Sequence, residues 1–150
     1  MNTPRSVLFV CLGNICRSPS AEAVMTKLAH DNFLKIHFDS AGTADYHVGK
    51  APDSRAIEVG EGLGYKLSHL RARQLTIQDF YDFDVIFAMD KNNLDDIRKI
   101  MPANATARVG AFDRTPVADP YYGNISDFDV MFEHIEQASK HWIDTWKHPQ

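Results

Sequence analysis

A continuous hydrophobic run near the start of the chain, Ser6-Val-Leu-Phe-Val-Cys11, most constrains how this sequence can fold. A run without alternating polar residues is typical of a strand that is buried on both faces, as in a parallel sheet. Gly13 and Asn14 end the run. Ser18-Pro19 then predicts the start of a helix, with serine at the N-cap and proline at the first helical position. The sequence therefore begins with a predicted strand–loop–helix unit.

The alternation of strand and helix continues along the chain. Further strands are predicted over 36–40, 83–88 and 107–112. Further helices are predicted from Pro52-Asp53 to about residue 63, over 92–101 and over 126–147, with a loop over 113–125. Four strands in this pattern predict an α/β fold: a three-layer sandwich with a central four-stranded, mainly parallel sheet flanked by helices, doubly wound as in flavodoxin. Ligands of such folds bind beyond the carboxyl ends of the strands, so the loop after Cys11 is the first candidate site.

Charge and cysteine content exclude several classes of protein. Sixteen Lys+Arg against twenty Asp+Glu give a net charge of −4, so we expect neither a nucleic-acid surface nor attraction to anionic membranes. No segment is long and apolar enough to span a bilayer. Two cysteines do not build a disulfide framework, and they make a poor zinc site because the seven histidines include no HExxH motif and no tight pair. We therefore expect a cytoplasmic protein with free thiols and no metal or other cofactor.

The segment from Cys11 to Ser18 has the pattern of an anion-binding loop. Between the nucleophile candidate Cys11 and the arginine lie five residues, which can wrap into an arc of inward-pointing N–H groups beside a helix N-terminus. Gly13 and Asn14 are the residues that best tolerate a left-handed backbone in this arc. Arg17 supplies a planar fork for two phosphate oxygens, and Ser18 can donate to a Cys11 thiolate. The predicted phosphate-binding residues are Leu12, Gly13, Asn14, Ile15, Cys16, Arg17 and Ser18.

The residues from Val7 to Ala23 closely resemble the start of the low-molecular-weight protein tyrosine phosphatases. The resemblance continues, in order, through four further segments: Asp39-Ser-Ala-Gly-Thr43, Arg71-Ala-Arg-Gln74, Ala88-Met-Asp-Lys-Asn-Asn-Leu94 and Asp119-Pro-Tyr-Tyr-Gly-Asn124. It implies one catalytic domain over residues 1–150 that hydrolyses phosphotyrosine and other aryl phosphates. In this family Cys11 would be the nucleophile, Arg17 the phosphate ligand and Asp119 the general acid, with a phosphocysteine intermediate and no metal.

The resemblance also implies supporting residues around this loop. Tyr46, Tyr121 and Tyr122 match aromatic positions of the family's substrate pocket, which would favour phosphotyrosine over phosphoserine. Ser40 is expected to hydrogen-bond with Asn14 and hold the loop. Asp90 is predicted to cap a helix or to orient Arg17.

Cys16 suggests a redox role, because two cysteines in one tight arc can come within disulfide reach. The hypothesis is a reversible Cys11–Cys16 bond that protects the nucleophile from over-oxidation. The family often has a histidine just before the x-Ala-Arg-Gln stretch. That position is Leu70 here and His69 lies one residue early, so no role is assigned to His69.

Two alternative functions remain open from the sequence. An arsenate reductase of the same fold would need further cysteines after the loop, and none follows Cys16. A phosphotyrosine-binding protein without activity would be expected to lack Cys11, Arg17 or Asp119. Expected partners are phosphotyrosine-containing proteins, among them a tyrosine kinase, and phosphate-like oxyanions are expected to inhibit.

Overall fold

The four strands of this protein form one parallel sheet. The structure is a computed structural model that describes residues 2–148. The strands β1 (Ser6–Cys11), β2 (His37–Gly42), β3 (Val85–Ala88) and β4 (Arg108–Ala111) lie in the order β2-β1-β3-β4. Each neighbouring pair is parallel. The predicted fold class is confirmed. Because β1 has a strand on either side and helices on both faces, its residues from Val7 to Val10 are completely buried.

Within the described residues, five helices cover the two faces of the sheet. They are α1 (Arg17–Asp31), α2 (Ser54–Gly62), α3 (Asp79–Asp82), α4 (Lys91–Ile100) and α5 (Ile125–Lys147). Val7 and Phe9 of β1 pack into one core with side chains of α1 and α5. Leu8 and Val10 point the other way, into a second core with Phe80 of α3 and Ile97 of α4. Side chains of a strand alternate between faces, so one buried strand supplies both cores.

The first helix begins two residues earlier than predicted. It starts at Arg17, its N-cap position is Cys16, and no side chain caps it. The prediction that Ser18 is the N-cap is therefore wrong. Its hydroxyl is turned toward Cys11 instead, at 2.9 Å from the sulfur. The last helix also starts earlier, at Ile125, because Asn124 and Asp127 form a reciprocal capping box.

Strand pairing explains why β2 and β3 differ from their predicted boundaries. The second strand runs to Gly42, beyond the predicted residue 40, because its register with β1 continues to the pair Cys11 and Gly42. The third is shorter than predicted, since only Val85–Ala88 pair with β1. The fourth strand and the fourth helix deviate by a single residue at each end. The four-residue α3 was not predicted, because one turn is too short to show a helical period.

The chain reverses its direction of strand addition at β1. From β1 it crosses to β2 on one side, and then to β3 on the other. The loop after Cys11 therefore lies at the crevice where such sheets bind ligands. Within residues 2–148, no helix has the length and apolar character needed to cross a membrane.

Candidate active site

A cleft of about 110 Å³ opens over the loop that joins β1 to α1. It brings together the predicted nucleophile, arginine and acid with the predicted aromatic residues, although these come from three separate parts of the sequence. Its lining residues are Cys11, Leu12, Gly13, Ile15, Cys16, Arg17, Tyr46, His47, Asp119, Tyr121 and Tyr122. Of these, His47 was not predicted from the sequence.

The Cys11 sulfur lies at the base of this cleft, with the residue 3% exposed. The Asn14 backbone N–H donates to it at 3.3 Å, and the Ser18 hydroxyl lies 2.9 Å away. Two donors close to one buried sulfur stabilise a thiolate, which is the nucleophilic form of cysteine. Cys11 is therefore placed to attack a group bound in the cleft.

Asn14 holds the loop in shape by its backbone and by its side chain. Its φ of 58° lies in the left-handed region that asparagine tolerates better than most residues. The Arg73 backbone N–H donates to its Oδ1 at 3.0 Å, which directs its Nδ2 to Ser18 Oγ at 2.7 Å. Gly13, also predicted to be suited to a left-handed backbone, is not left-handed in this loop.

Arg73 is a supporting residue to which the sequence analysis assigned no role. Its guanidinium forms two hydrogen bonds of 3.0 Å with the Asp79 carboxylate and one of 3.1 Å with Asp39. Those ion pairs fix the backbone whose N–H orients Asn14. Only its place in the Arg71-Ala-Arg-Gln74 segment distinguishes it in the sequence.

The loop after Cys11 is hydrogen-bonded to the residues that follow β2. Thr43 N donates to Cys11 O at 2.9 Å and Ala44 N donates to Leu12 O at 3.0 Å. A Cβ on Gly42 would lie 2.7 Å from Leu12 O, so any larger residue would push the two segments apart. Gly42 therefore allows the close approach that keeps the loop against the sheet.

Arg17 lies beside the sulfur, with only 4% of its surface exposed. One guanidinium nitrogen donates to Asp90 Oδ2 at 2.6 Å and to Val117 O at 3.1 Å, and the other lies 3.7 Å from Asp119 Oδ2. Burial lowers the pKa of Arg17, but the hydrogen bond with Asp90 and the charges of Cys11 and Asp119 outweigh it, so the pKa is raised. The guanidinium is thus held charged and in a fixed orientation.

Asp90 combines the two roles between which the sequence did not decide. Its Oδ1 accepts from Asn93 N at 2.7 Å and so caps α4. Its Oδ2 accepts from Arg17. The cap fixes the carboxylate, and the carboxylate in turn fixes Arg17.

Asp119 lies in the loop between β4 and α5, with its side chain 40% exposed at the mouth of the cleft. The Tyr121 backbone N–H donates to its Oδ1 at 3.1 Å, which leaves Oδ2 on the side of Arg17. Pro120 lacks an N–H and restricts the backbone of Asp119. The carboxyl group therefore sits within one phosphate's width of the guanidinium.

Aromatic side chains form the outer wall of the cleft. Tyr46 is 68% exposed and Tyr122 is 93% exposed, and Tyr121 and Tyr122 contact edge to face with ring centres 4.9 Å apart. The His47 ring lies between Tyr46 and Tyr121, with its centre 6.5 Å from the ring centre of Tyr46 and 6.3 Å from that of Tyr121. A planar, apolar group attached to a phosphate would be in contact with these rings.

Ser40 does not contact Asn14 through a hydrogen bond, contrary to the prediction. Its hydroxyl donates to Glu22 Oε1 at 2.7 Å. Burial raises the pKa of Glu22 to about 7, even though the hydrogen bond from Ser40 acts in the opposite direction. Asn14 is held by Arg73 instead.

Cys16 is buried in the same loop as Cys11, and both cysteines are free thiols. Burial raises the pKa of Cys16, and the charges of Asp53 and Cys11 raise it further. At neutral pH the Cys16 thiol is therefore protonated. Within residues 2–148, no cluster of three or more His, Cys, Asp or Glu side chains is arranged to hold a metal ion.

Comparison with known proteins identifies relatives over almost the entire chain. The model of the low molecular weight phosphotyrosine protein phosphatase family matches residues 6–149. A rat protein named low molecular weight phosphotyrosine protein phosphatase is 41% identical over 150 aligned residues, which cover 93% of this chain and 94% of the relative.

Solved structures with the same fold include two phosphatases. A protein tyrosine phosphatase from Entamoeba histolytica, crystallised with Hepes in the active site, has a TM-score of 0.89 and 38% identity, covering 95% of this chain and 96% of its own. A Drosophila arginine phosphatase has a TM-score of 0.90 and 30% identity, covering 96% of this chain and 99% of its own.

Proposed function

This chain belongs to the low molecular weight phosphotyrosine protein phosphatase family, and from that premise we propose which of its residues carry out the hydrolysis. Cys11 is the nucleophile, Arg17 holds the phosphate, and Asp119 is the general acid and base. The observation that carries this assignment is that Asp119, about a hundred residues further along the chain, lies with Cys11 and Arg17 in one cleft above the sulfur. The catalytic domain extends over residues 1–150, of which Met1, Pro149 and Gln150 lie outside the described residues.

In the first step the Cys11 thiolate attacks phosphorus in line with the leaving oxygen. A sulfur–phosphorus bond forms as the phosphorus–oxygen bond breaks, and protonated Asp119 donates its proton to the departing phenoxide. The fixed charge of Arg17 and the N–H groups of residues 12–18, except that of Asn14, which donates to the sulfur, stabilise the equatorial oxygens. These groups supply the positive charge without a metal ion.

In the second step water hydrolyses the phosphocysteine. Asp119, now a carboxylate, accepts a proton from the water as its oxygen bonds to phosphorus, and Cys11 leaves as a thiolate. The hydrogen bonds from Asn14 and Ser18 stabilise that leaving group. Inorganic phosphate is released, and similar oxyanions compete for the same loop.

The substrate class is phosphotyrosine in proteins. The aromatic wall of Tyr46, Tyr121 and Tyr122 supports it, because a phenyl ring between the phosphate and the peptide bridges the depth of the cleft. A tyrosine kinase is one candidate substrate. The free thiols suit a cytoplasmic location. Since the Drosophila relative is named an arginine phosphatase, substrate assays should compare phosphotyrosine with phosphoarginine and phosphoserine peptides.

The family match favours phosphatase over the two alternatives considered from the sequence. Arsenate reduction would require cysteines that relay oxidation, and none follows Cys16. A silent binding protein would not need the acid, yet Asp119 lies 3.7 Å from Arg17 at the mouth of the cleft.

Activity assays on two variants test the catalytic assignment. The protein should hydrolyse p-nitrophenyl phosphate with EDTA present. Cys11→Ser should abolish turnover and still bind orthophosphate, because the loop and Arg17 remain. Asp119→Ala should lower kcat by about 10²- to 10³-fold with phenyl phosphate and change orthophosphate binding little. Turnover by Cys11→Ser at the wild-type rate would disprove the nucleophile, and full activity of Asp119→Ala would disprove the acid.

Cys16 protects the nucleophile from over-oxidation in this proposal. Peroxide converts the Cys11 thiolate to a sulfenic acid, and Cys16 then attacks that sulfur, forming the disulfide and releasing water. Cys16→Ser should lose activity irreversibly in peroxide, whereas the wild type should recover with dithiothreitol. Equal recovery of both proteins would count against this role.

A further inference from the structure

An ion pair at the start of α2 lies beside the active site. Arg55 forms hydrogen bonds of 2.9 and 3.0 Å with both carboxylate oxygens of Asp53, which is also the N-cap of the helix. Hydrogen bonds from Arg55 lower the pKa of Asp53, so the carboxylate stays charged at neutral pH. The two side chains form a rigid unit at the N-terminus of the helix.

This ion pair joins the loop of the nucleophile to the loop of the acid. On one side, Asp53 N donates to Ile15 O at 2.8 Å, within the phosphate-binding loop. On the other, the Arg55 guanidinium donates to Tyr121 O at 2.9 Å and to Gly123 O at 3.0 Å. Its carbon also lies 4.5 Å from the ring centre of Phe128 in α5.

Arg55 holds a segment that has few other anchors. Among residues 2–148, its guanidinium is the only group outside residues 119–123 that hydrogen-bonds to the backbone of that segment. Tyr121 is two residues beyond Asp119. Pro120, between them, has a fixed φ angle and also restricts the backbone of Asp119. A displacement of the Tyr121 carbonyl would therefore be transmitted directly to the Asp119 carboxyl group.

We propose that Arg55 is a positioning residue that sets the place of the Asp119 carboxyl group over the leaving oxygen. This inference rests on the proposed role of Asp119 as general acid. Proton transfer requires the acid to be within hydrogen-bond reach of the leaving oxygen, and small misplacements of a catalytic group are costly. The arginine fork suits the task because it makes four hydrogen bonds at once, two to one carboxylate and one to each of two carbonyls, whereas a lysine has only three donors.

A series of aryl phosphates separates positioning of the acid from other effects. A poor leaving group such as phenoxide needs the proton of Asp119, whereas dinitrophenoxide leaves without it. Arg55→Ala should lower kcat/KM for phenyl phosphate about tenfold and for dinitrophenyl phosphate less than about twofold. Partial unfolding or a damaged phosphate loop would lower both values equally, and contacts of the phenyl ring with Tyr121 are common to both substrates.

Three further variants complete the experiment. Arg55→Lys should recover only part of the kcat/KM for phenyl phosphate that Arg55→Ala loses. Arg71→Ala should match the wild type, because among residues 2–148 the Arg71 guanidinium hydrogen-bonds only to the carbonyls of Ser68 and Leu70. In an Asp119→Ala background, Arg55→Ala should leave the ratio of the two kcat/KM values unchanged.

If Arg55→Ala leaves the ratio of kcat/KM for the two substrates unaltered, while the activity of Asp119→Ala depends steeply on the leaving group, the positioning role alone is overturned. An Asp119→Ala enzyme without that dependence would instead overturn the proposed acid.

Discussion

The Ser18 hydroxyl has one hydrogen to donate, and its neighbours determine which atom receives it. Asn14 Nδ2 donates to Ser18 Oγ at 2.7 Å, because Asn14 Oδ1 is already occupied by a backbone N–H. The remaining acceptors are Cys11 Sγ at 2.9 Å and Ala41 O at 3.5 Å. When Cys11 is a thiolate, its nearer sulfur accepts the hydrogen bond from the Ser18 hydroxyl. A chain of donors therefore runs from Arg73 through Asn14 and Ser18 to the nucleophile.

Removing this hydroxyl should slow both chemical steps. A hydrogen bond to a charged group contributes roughly 1.5–3 kcal/mol, so we expect Ser18→Ala to lower kcat about tenfold to hundredfold. Alkylation of Cys11 by iodoacetate at neutral pH should also be slower. Thr26→Ala is a matched control, because it removes a hydroxyl from the exposed face of the same helix. Unchanged kcat in Ser18→Ala would show that the hydroxyl is not a donor to the sulfur.

At the scale of elements, α2 brings Arg55 to the acid loop because it packs closely on α5. The contact is made at Gly60, where a Cβ would lie 2.6 Å from Leu67 Cδ1 and 2.7 Å from Phe132 Cζ. Both of those side chains are completely buried, so they have little room to move. From the sequence alone, the glycines of this helix indicate only a weak C-terminal end.

Substitutions at two glycines of α2 separate packing from helix propensity. Gly60→Ala should destabilise the protein by about 1–2 kcal/mol, because overpacking costs more than the helix gains from alanine. Gly62→Ala has nothing within 4 Å of its added methyl group and should be neutral or stabilising by up to about 1 kcal/mol. Urea unfolding of the two variants measures the difference. Equal stabilities would show that the contact between the helices is loose.

At the scale of the whole molecule, stability depends on the buried carboxyl group of Glu22. It lines a groove of about 660 Å³ between α1, β2 and the segment 64–70, outside the catalytic cleft. Its pKa is raised from 4.5 to about 7 by burial, so the folded protein binds a proton that the unfolded chain releases between these pH values. The free energy of unfolding therefore falls as pH rises through this interval.

Replacing Glu22 should remove this pH dependence. We expect Glu22→Gln to be more stable than the wild type at pH 8, by about 1–3 kcal/mol, with the difference disappearing near pH 4. The glutamine can still accept the hydrogen bond from Ser40. Urea unfolding at several pH values tests this, with the exposed Glu58→Gln as the control for loss of one charge. A variant that is less stable at pH 8 would contradict the expected sign.

Local patterns in the sequence were sufficient to predict the fold class, the order along the chain of the four strands and the longer helices, and the loop from Cys11 to Ser18. These features depend on neighbours in the chain: the hydrophobic run of β1 and the spacing of Cys11 and Arg17. The family resemblance, not a local pattern, indicated Asp119 and the three tyrosines of the cleft, and neither indicated His47 or the four-residue α3. Only the tertiary structure decided how those residues are held. The roles of Arg73, Arg55 and Glu22 arise from contacts across 18 to 68 positions of sequence, and strand register and side-chain direction set such contacts. The sequence predicted the contact of Ser18 with Cys11 but wrongly made Ser18 the helix cap as well, and the family resemblance assigned Ser40 to Asn14. Packing places Ser40 on Glu22 instead, because no local periodicity records distances between residues far apart in the chain.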